Sequence, residues 1–255
     1  MEELMAKEIQ ATVQKPIRGK TPPALGTIHG SRRWHLGLAA RLRARGKNAF
    51  IKKIRAGGQV LDVGCGNNSP FQFKSQRPDL CYVGLDVANY NQTRAPDRYA
   101  DRYILTSPEE FAVVLNSFSH EFDAVVCSHN LEHCVHPQAV MEAMLGALKP
   151  GGSLYLAFPC EASVAFPKRR GCLNFHDDAT HRMPPEYDKV LATIKSTGLI
   201  IEFACRRYRP LILCFLGLML EPVSWALKTN MPLGSTWALY GFESIIWATR
   251  PVAVL

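Results

Sequence analysis

The sequence predicts an α/β fold, a doubly wound, mostly parallel seven-stranded sheet with helices on both faces. Three observations predict it. Short apolar runs alternate with segments of helical periodicity from about residue 59 to residue 248. The first of these runs ends in a two-glycine turn, Gly64-Cys65-Gly66, and the second ends at an acid, Asp86. Alternating strands and helices favour a parallel sheet covered on both sides. Right-handed crossovers then bring every strand-to-helix loop to one edge.

Taken in order, residues 1–30 read as an N-terminal arm, with Pro16, Gly19, Pro22, Pro23 and Gly26 near its end. Residues 31–255 read as one domain. Trp34, Leu38, Leu42, Phe50, Ile51 and Ile54 recur at helical spacing over 31–55, and Gly57-Gly58 stops that helix. Strands are predicted over 59–63, 81–85, 98–105, 122–127, 153–158, 199–205 and 242–248. Helices are predicted over 108–116, 137–148 and 185–197. The first of these has Pro108 in its first turn and Glu109 and Glu110 at its positive end. The second is ended by Lys149-Pro150-Gly151-Gly152. Two segments, about 160–184 and 206–240, are longer than a connection needs and read as ordered insertions that shape a pocket.

Composition narrows the function classes. Hydrophobic residues make up 47% of the 255 residues, enough for a sizeable core. No disordered or low-complexity tract and no solenoid period stands out. The eight cysteines show no CxxC spacing, so reduced thiols in a cytoplasmic protein are the simplest expectation. The Met-Glu-Glu start lacks the apolar core of a signal peptide. The apolar run Leu211 to Leu220 is about half of the roughly 20 residues a bilayer span requires. A buried helix, a pocket cap, a subunit contact or a peripheral membrane contact through 211–227 all remain open, the last at the inner face of a membrane.

The net charge of +8 is concentrated in three places. Arg32, Arg33, Arg41, Arg43, Arg45, Lys47, Lys52, Lys53 and Arg55 lie together, with smaller groups at Lys168 to Arg170 and at Arg206, Arg207 and Arg209. Such patches are either solvated faces or attractors of phosphates, nucleic acid or anionic lipid.

The chemistry centres on the segment Val60 to Asn68. Gly64 and Gly66 permit close backbone approach after a strand. A dinucleotide site prefers a third glycine where this chain has Ser69 followed by Pro70, so a pyrophosphate cradle is compromised. Asp62, just before the glycines, suits an amino-acid ammonium. Asp86, about twenty residues further on, suits the two hydroxyls of a ribose. Together the two acids suit a cationic nucleoside with an amino-acid tail.

On these residues the sequence resembles the class I S-adenosylmethionine-dependent methyltransferases, especially the group with a methyltransferase type 11 domain. Five stretches carry the resemblance in order: Val60 to Asn68, Val83 to Asp86, Phe122 to Ser128, Asn130 to His133, and Ala147 to Gly152. The resemblance implies a Rossmann-like fold and S-adenosyl-L-methionine as cofactor. It places Asp62, Gly64, Cys65 and Gly66 at the methionine end, Asp86 at the ribose, and Ser128 and Asn130 at the sulfonium. For the adenine side it offers Asp101, with Thr106 or Ser107 as alternatives.

Methyl transfer to a hydroxyl or ammonium is helped by a base. His129, Glu132, His133 and His136 follow the fourth strand, and His133 is the first candidate. The Glu132-His133 pair resembles one that contributes to a divalent metal site in ubiquinone O-methyltransferases, but Asn130 stands where that group has a further acid, and no metal ligands are assigned. A second group, Asn174 to Arg182, offers His176 and His181 as further catalytic candidates, with Asp177 and Asp178 beside them. With Lys168 to Gly171 it resembles a subgroup associated with bacterial surface-polysaccharide synthesis. The expected function is therefore methylation, on oxygen, of a small molecule or sugar. An RNA methyltransferase, motivated by the basic helix, is the first alternative. The second is a non-catalytic binding protein on the same fold that docks through 211–227 with Trp225, Trp237 and Trp247 as anchors.

Overall fold

The computed structural model describes residues 44–252. The expected arm, the first part of the 31–55 helix, and Arg32, Arg33, Arg41 and Arg43 lie outside the described residues. Seven strands form one sheet: β1 (Gln59–Val63), β2 (Cys81–Asp86), β3 (Arg102–Leu105), β4 (Phe122–Ser128), β5 (Leu148–Pro159), β6 (Ile200–Cys205) and β7 (Glu243–Thr249). Their order is β3-β2-β1-β4-β5-β7-β6. All neighbours pair in parallel except β7, which runs antiparallel to both β5 and β6. The chain leaves β1 toward β3 and returns to place β4 on the other side of β1. This reversal opens a crevice beyond the carboxyl ends of β1 and β4, where ligands of such sheets bind.

The helices are α1 (Lys47–Ile51), α2 (Ser69–Gln76), α3 (Phe111–Asn116), α4 (Pro137–Gly146), α5 (Tyr187–Ser196), α6 (Leu211–Leu227) and α7 (Ser235–Tyr240). Central strands are dominated by apolar residues because both of their faces are covered: Val60, Leu61, Val63, Val125 and Val126 are fully buried. On one face Phe50 and Phe73 pack onto Tyr82, Val126, Tyr155 and Trp247. The Phe50 ring meets Trp247 edge-on at 5.4 Å.

The structure departs from the periodicity at four places. β3 begins at Arg102 because Pro96–Arg98 forms a 3₁₀ turn ahead of it. β5 begins at Leu148, and the Lys149-Pro150-Gly151-Gly152 excursion is absorbed within it: Phe122 pairs with Leu148 and Ala124 with Ser153. Gly151 takes a φ of +79° there. α2 lacks an apolar stripe and is started instead by left-handed Asn68 and by Pro70 in the first turn. Finally, α6 crosses α7 so closely that a Cβ on Gly217 would lie 2.2 Å from the Ser235 carbonyl oxygen.

Candidate functional site

Asp62 and Asp86 stand on adjacent strands near the same carboxyl edge, with Asp62 opposite Gly84, two residues before Asp86. Asp62 is fully buried. Its Oδ2 accepts hydrogen bonds from Ser69 Oγ at 2.5 Å and Tyr82 Oη at 2.7 Å, and Lys47 Nζ lies 3.6 Å away. Its Oδ1 is buried and unpartnered, a costly arrangement unless a donor is supplied. Asp86 accepts the Val87 N–H at 2.7 Å. Burial pushes its pKa up, the Asp62 charge adds to this, and the Val87, Ala88 and Gly66 amides pull the other way.

Gly64, with φ +75°, turns the chain beneath Asn130, whose side chain would lie 2.5 Å from an added Cβ. Only glycine fits that contact. The Cys65 side chain is buried against Gly84 and leaves only backbone to the crevice. Burial and then the Asp62 charge push its thiol up. Gly66 lies under Tyr90, at 3.1 Å from an added Cβ. Residues 90–94 clamp the turn: Asn67 N–H donates to the Tyr90 carbonyl at 2.9 Å, Gln92 Nε2 to the Cys65 carbonyl at 2.9 Å, and Thr93 N–H to Asn68 Oδ1 at 2.8 Å. Sequence reasoning missed Tyr82, Tyr90 and Gln92, which carry no motif of their own. Ser128, at the end of β4, is half-buried beside this turn.

Asp101 corrects an expectation. It precedes β3, accepts the Tyr82 N–H at 2.7 Å and pairs with Lys74 at 2.6 Å. It therefore sits at the amino-terminal edge of a parallel strand, opposite the crevice. Thr106, whose N–H donates to the Asp86 carbonyl at 3.1 Å, lies at the carboxyl edge instead.

His129 takes a left-handed φ of +55° just past β4. Its Nδ1 bonds Glu132 Oε1 at 3.2 Å and its Nε2 bonds Glu243 Oε1 at 2.9 Å. The ring stacks on Phe242 at 6.0 Å and 11°. Burial opposes its charge, but the hydrogen bonds it donates to both carboxylates outweigh that and raise its pKa to about 10. Since the unfolded imidazole titrates near 6.5, this stabilisation is complete below about pH 6.5 and fades as pH rises through about 10. His129→Gln should thus be less stable than wild type by on the order of 3 kcal/mol at neutral pH. Thermal unfolding should show the gap narrowing toward pH 10, whereas a pH-independent gap contradicts the imidazolium assignment.

The 178–182 segment docks on the 3₁₀ turn Leu131–His133. Arg182 N–H donates to the Glu132 carbonyl at 2.9 Å and Arg182 Nε to the His133 carbonyl at 3.2 Å. This brings the His133 and His181 rings to 4.8 Å. Thr180 Oγ1 donates to Asp178 Oδ1 at 2.6 Å, so its 2.9 Å contact with His133 is accepted from an Nδ1–H. His181 Nδ1 likewise donates to the Phe175 carbonyl at 2.6 Å. In the neutral ring each imidazole then presents Nε2 as a lone pair. Burial lowers the His133 pKa, and the neighbouring His181 adds to this while Glu132 opposes it. Ligand atoms of Glu132, His133 and His181 lie within 4.8 Å of one another, a donor set able to hold a divalent cation, and Glu132 Oε2 is buried without a partner.

His176 is not part of this group. Asn174 caps the 3₁₀ turn Phe175–Asp177, its Oδ1 accepting the His176 N–H at 2.8 Å. That turn drives Phe175 inward and leaves His176 exposed. His136, ahead of α4, is also exposed.

A model of the methyltransferase-domain family matches residues 34–206. Over 108 residues the chain is 35% identical to a ubiquinone biosynthesis O-methyltransferase of Dechloromonas aromatica, a match covering 40% of this chain and 44% of that protein. For the protein of the same name from Xanthomonas axonopodis pv. citri, identity is 33% over 117 residues, or 44% of this chain and 47% of that one. The chain thus spans less than half the length of these curated relatives. Among solved structures, a Haloferax volcanii putative methyltransferase in complex with the Trm112 activator has a TM-score of 0.55 at 14% identity, covering 78% of this chain and 85% of that one. A Haemonchus contortus phosphoethanolamine N-methyltransferase 2 in complex with S-adenosyl-L-methionine has a TM-score of 0.53 at 17% identity, covering 80% and 52%. At these identities the likeness is one of fold.

Proposed function

The chain belongs to the methyltransferase-domain family, and we propose that it transfers a methyl group from S-adenosylmethionine to a hydroxyl of a small molecule or sugar. The hydrogen-bonded line Asp178–Thr180–His133, at the edge of the sheet where Asp62 and Asp86 stand, carries this reading.

The residues fit the cofactor. The unpartnered Oδ1 of Asp62 supports receipt of an ammonium, and the buried Asp86 carboxylate supports receipt of ribose hydroxyls. Backbone of Gly64, Cys65 and Gly66 is assigned to the methionine end, Ser128 and Asn130 to the sulfonium region. S-adenosylmethionine, when bound, supplies a methyl group already activated by its sulfonium, so the protein's task is positioning plus removal of the acceptor proton. His133 Nε2 takes that proton. The Nδ1–H, held on Thr180 and through it on Asp178, steadies the imidazolium that forms. His181 Nε2, fixed by the Phe175 carbonyl, accepts from a second donor group of the acceptor and so orients it.

Within the basic segment 32–55, four described residues pair within the chain, and two of them, Arg45 and Lys47, lie against the buried Trp247 and Asp62, which favours a small acceptor over RNA. Arg45 lies over Trp247 and Phe203, Lys47 pairs with Asp62, Lys53 with Glu202 and Arg55 with Asp123. The buried, unpartnered Glu132 Oε2 favours a second reading, in which Glu132, His133 and His181 hold a divalent cation that polarises the acceptor. Transfer of radiolabelled methyl groups from S-adenosylmethionine, screened over phenols, nucleotide sugars and bulk RNA, tests the proposal. Label on a phenol or sugar supports it, and label on RNA alone refutes it. Turnover unchanged by EDTA excludes the cation.

A further inference from the structure

We propose that α6 docks on an anionic bilayer surface, with lipid phosphates held in a cationic groove at its carboxyl end. The helix is inverted relative to an ordinary surface helix. Leu211, Phe215, Leu218 and Trp225 recur along one side at helical spacing and face outward, Phe215 at 66% and Trp225 at 71% exposure. Ile212 and Met219 widen that stripe. The buried stripe holds Gly217 and Ser224, which allow α7 to approach. Glu221, the only charged residue of α6, is turned inward, where its Oε1 accepts from Tyr240 Oη at 2.7 Å and pairs with Arg169 at 3.3 Å. The outward face is therefore large, apolar and uncharged, well beyond the scattered exposure normal for a surface.

The helix has 17 residues, and no helix among those described is long and apolar enough to cross a membrane. Its geometry suits lying in the plane of the interface with the apolar face toward the acyl chains. The charges at its ends indicate which surface. At the carboxyl end a groove of about 650 Å³ is lined by Lys168, Arg169, Arg170 and Lys228 and runs into Ala226 and Leu227 of the helix. The one acid in it, Asp177, spends its Oδ2 on the N–H groups of Arg169, Leu173 and Asn174. Arg169 is nine-tenths buried, yet its Nε has no partner. At the amino end stand the exposed Arg207 and Arg209, while Arg206 beside them is paired with Asp188 and Glu161. Cations at both ends of an apolar stripe repel a second copy and complement a layer of lipid phosphates.

Flotation of the full chain with vesicles tests this. Wild type should float with phosphatidylglycerol–phosphatidylcholine vesicles and far less with phosphatidylcholine alone. Phe215→Asp with Leu218→Asp should abolish flotation. Lys168→Ala with Arg170→Ala should weaken it roughly twenty-five-fold, from about fivefold per charge. Vesicles with dibrominated acyl chains should quench a fluorescence component that Trp225→Phe removes. S-adenosylhomocysteine affinity should stay unchanged in all variants, which separates this proposal from that of methyl transfer, and quenching of Trp225 decides if a variant fails to fold. No flotation of wild type, undiminished flotation of the Asp variant, or a dimer that the Asp substitutions dissolve without any lipid binding would overturn it.

Discussion

Replacing Asp86 with alanine should weaken S-adenosylhomocysteine binding by about a hundredfold to ten-thousandfold, read by calorimetry. The carboxylate is the acceptor assigned to two ribose hydroxyls, and hydrogen bonds to a charged group contribute about 1.5–3 kcal/mol each. The loss should not come from unfolding. Burial holds the Asp86 pKa above its ordinary value, so its charge is a cost to the fold rather than a support. The Asp86→Ala protein should therefore unfold at or above the wild-type temperature. Asp62→Ala should behave differently, because Ser69, Tyr82 and Lys47 all lose the oxygen they share. It should lose both stability and cofactor affinity. Equal effects of the two substitutions on stability would contradict the division of labour drawn between the acids.

His133→Ala should lower kcat by about 10²–10⁴ while leaving S-adenosylhomocysteine affinity within a few-fold, the effect of removing a positioned base. Thr180→Val keeps the imidazole but removes the group that fixes its tautomer, so a smaller loss in kcat is expected. His176→Ala should match wild type, since that ring is exposed and lies outside the group. A His176 variant as impaired as His133→Ala would relocate the base.

What the sequence disclosed and what it hid follow from how far each feature reaches along the chain. β1, β2 and β4 were legible because each is a short, mainly apolar run, a consequence of burial on both faces. The glycine turn and its two acids were legible because a turn of that shape is encoded within a few residues. The clamp of residues 90–94 on that turn, by contrast, is made by ordinary Tyr, Gln and Thr side chains and amides. The His129–Glu243 bond joins residues 114 apart, and no local pattern announces it. Separating His181 from His176 required the capped 3₁₀ turn, which sends neighbouring side chains in opposite directions. Asp101 was misplaced because a 3₁₀ turn shortened β3 from its start, moving the acid to the far edge. Which side of α6 faces outward was hidden too, since an apolar run fits a buried helix, a cap or an exposed contact alike.

A crystal structure with S-adenosylhomocysteine bound tests where the cofactor and the base lie. It should show ribose hydroxyls on Asp86, the amino-acid end over the Gly64–Gly66 turn, and the sulfur facing His133 and His181. A nucleoside bound at the opposite edge of the sheet, or a sulfur facing away from both imidazoles, would contradict it.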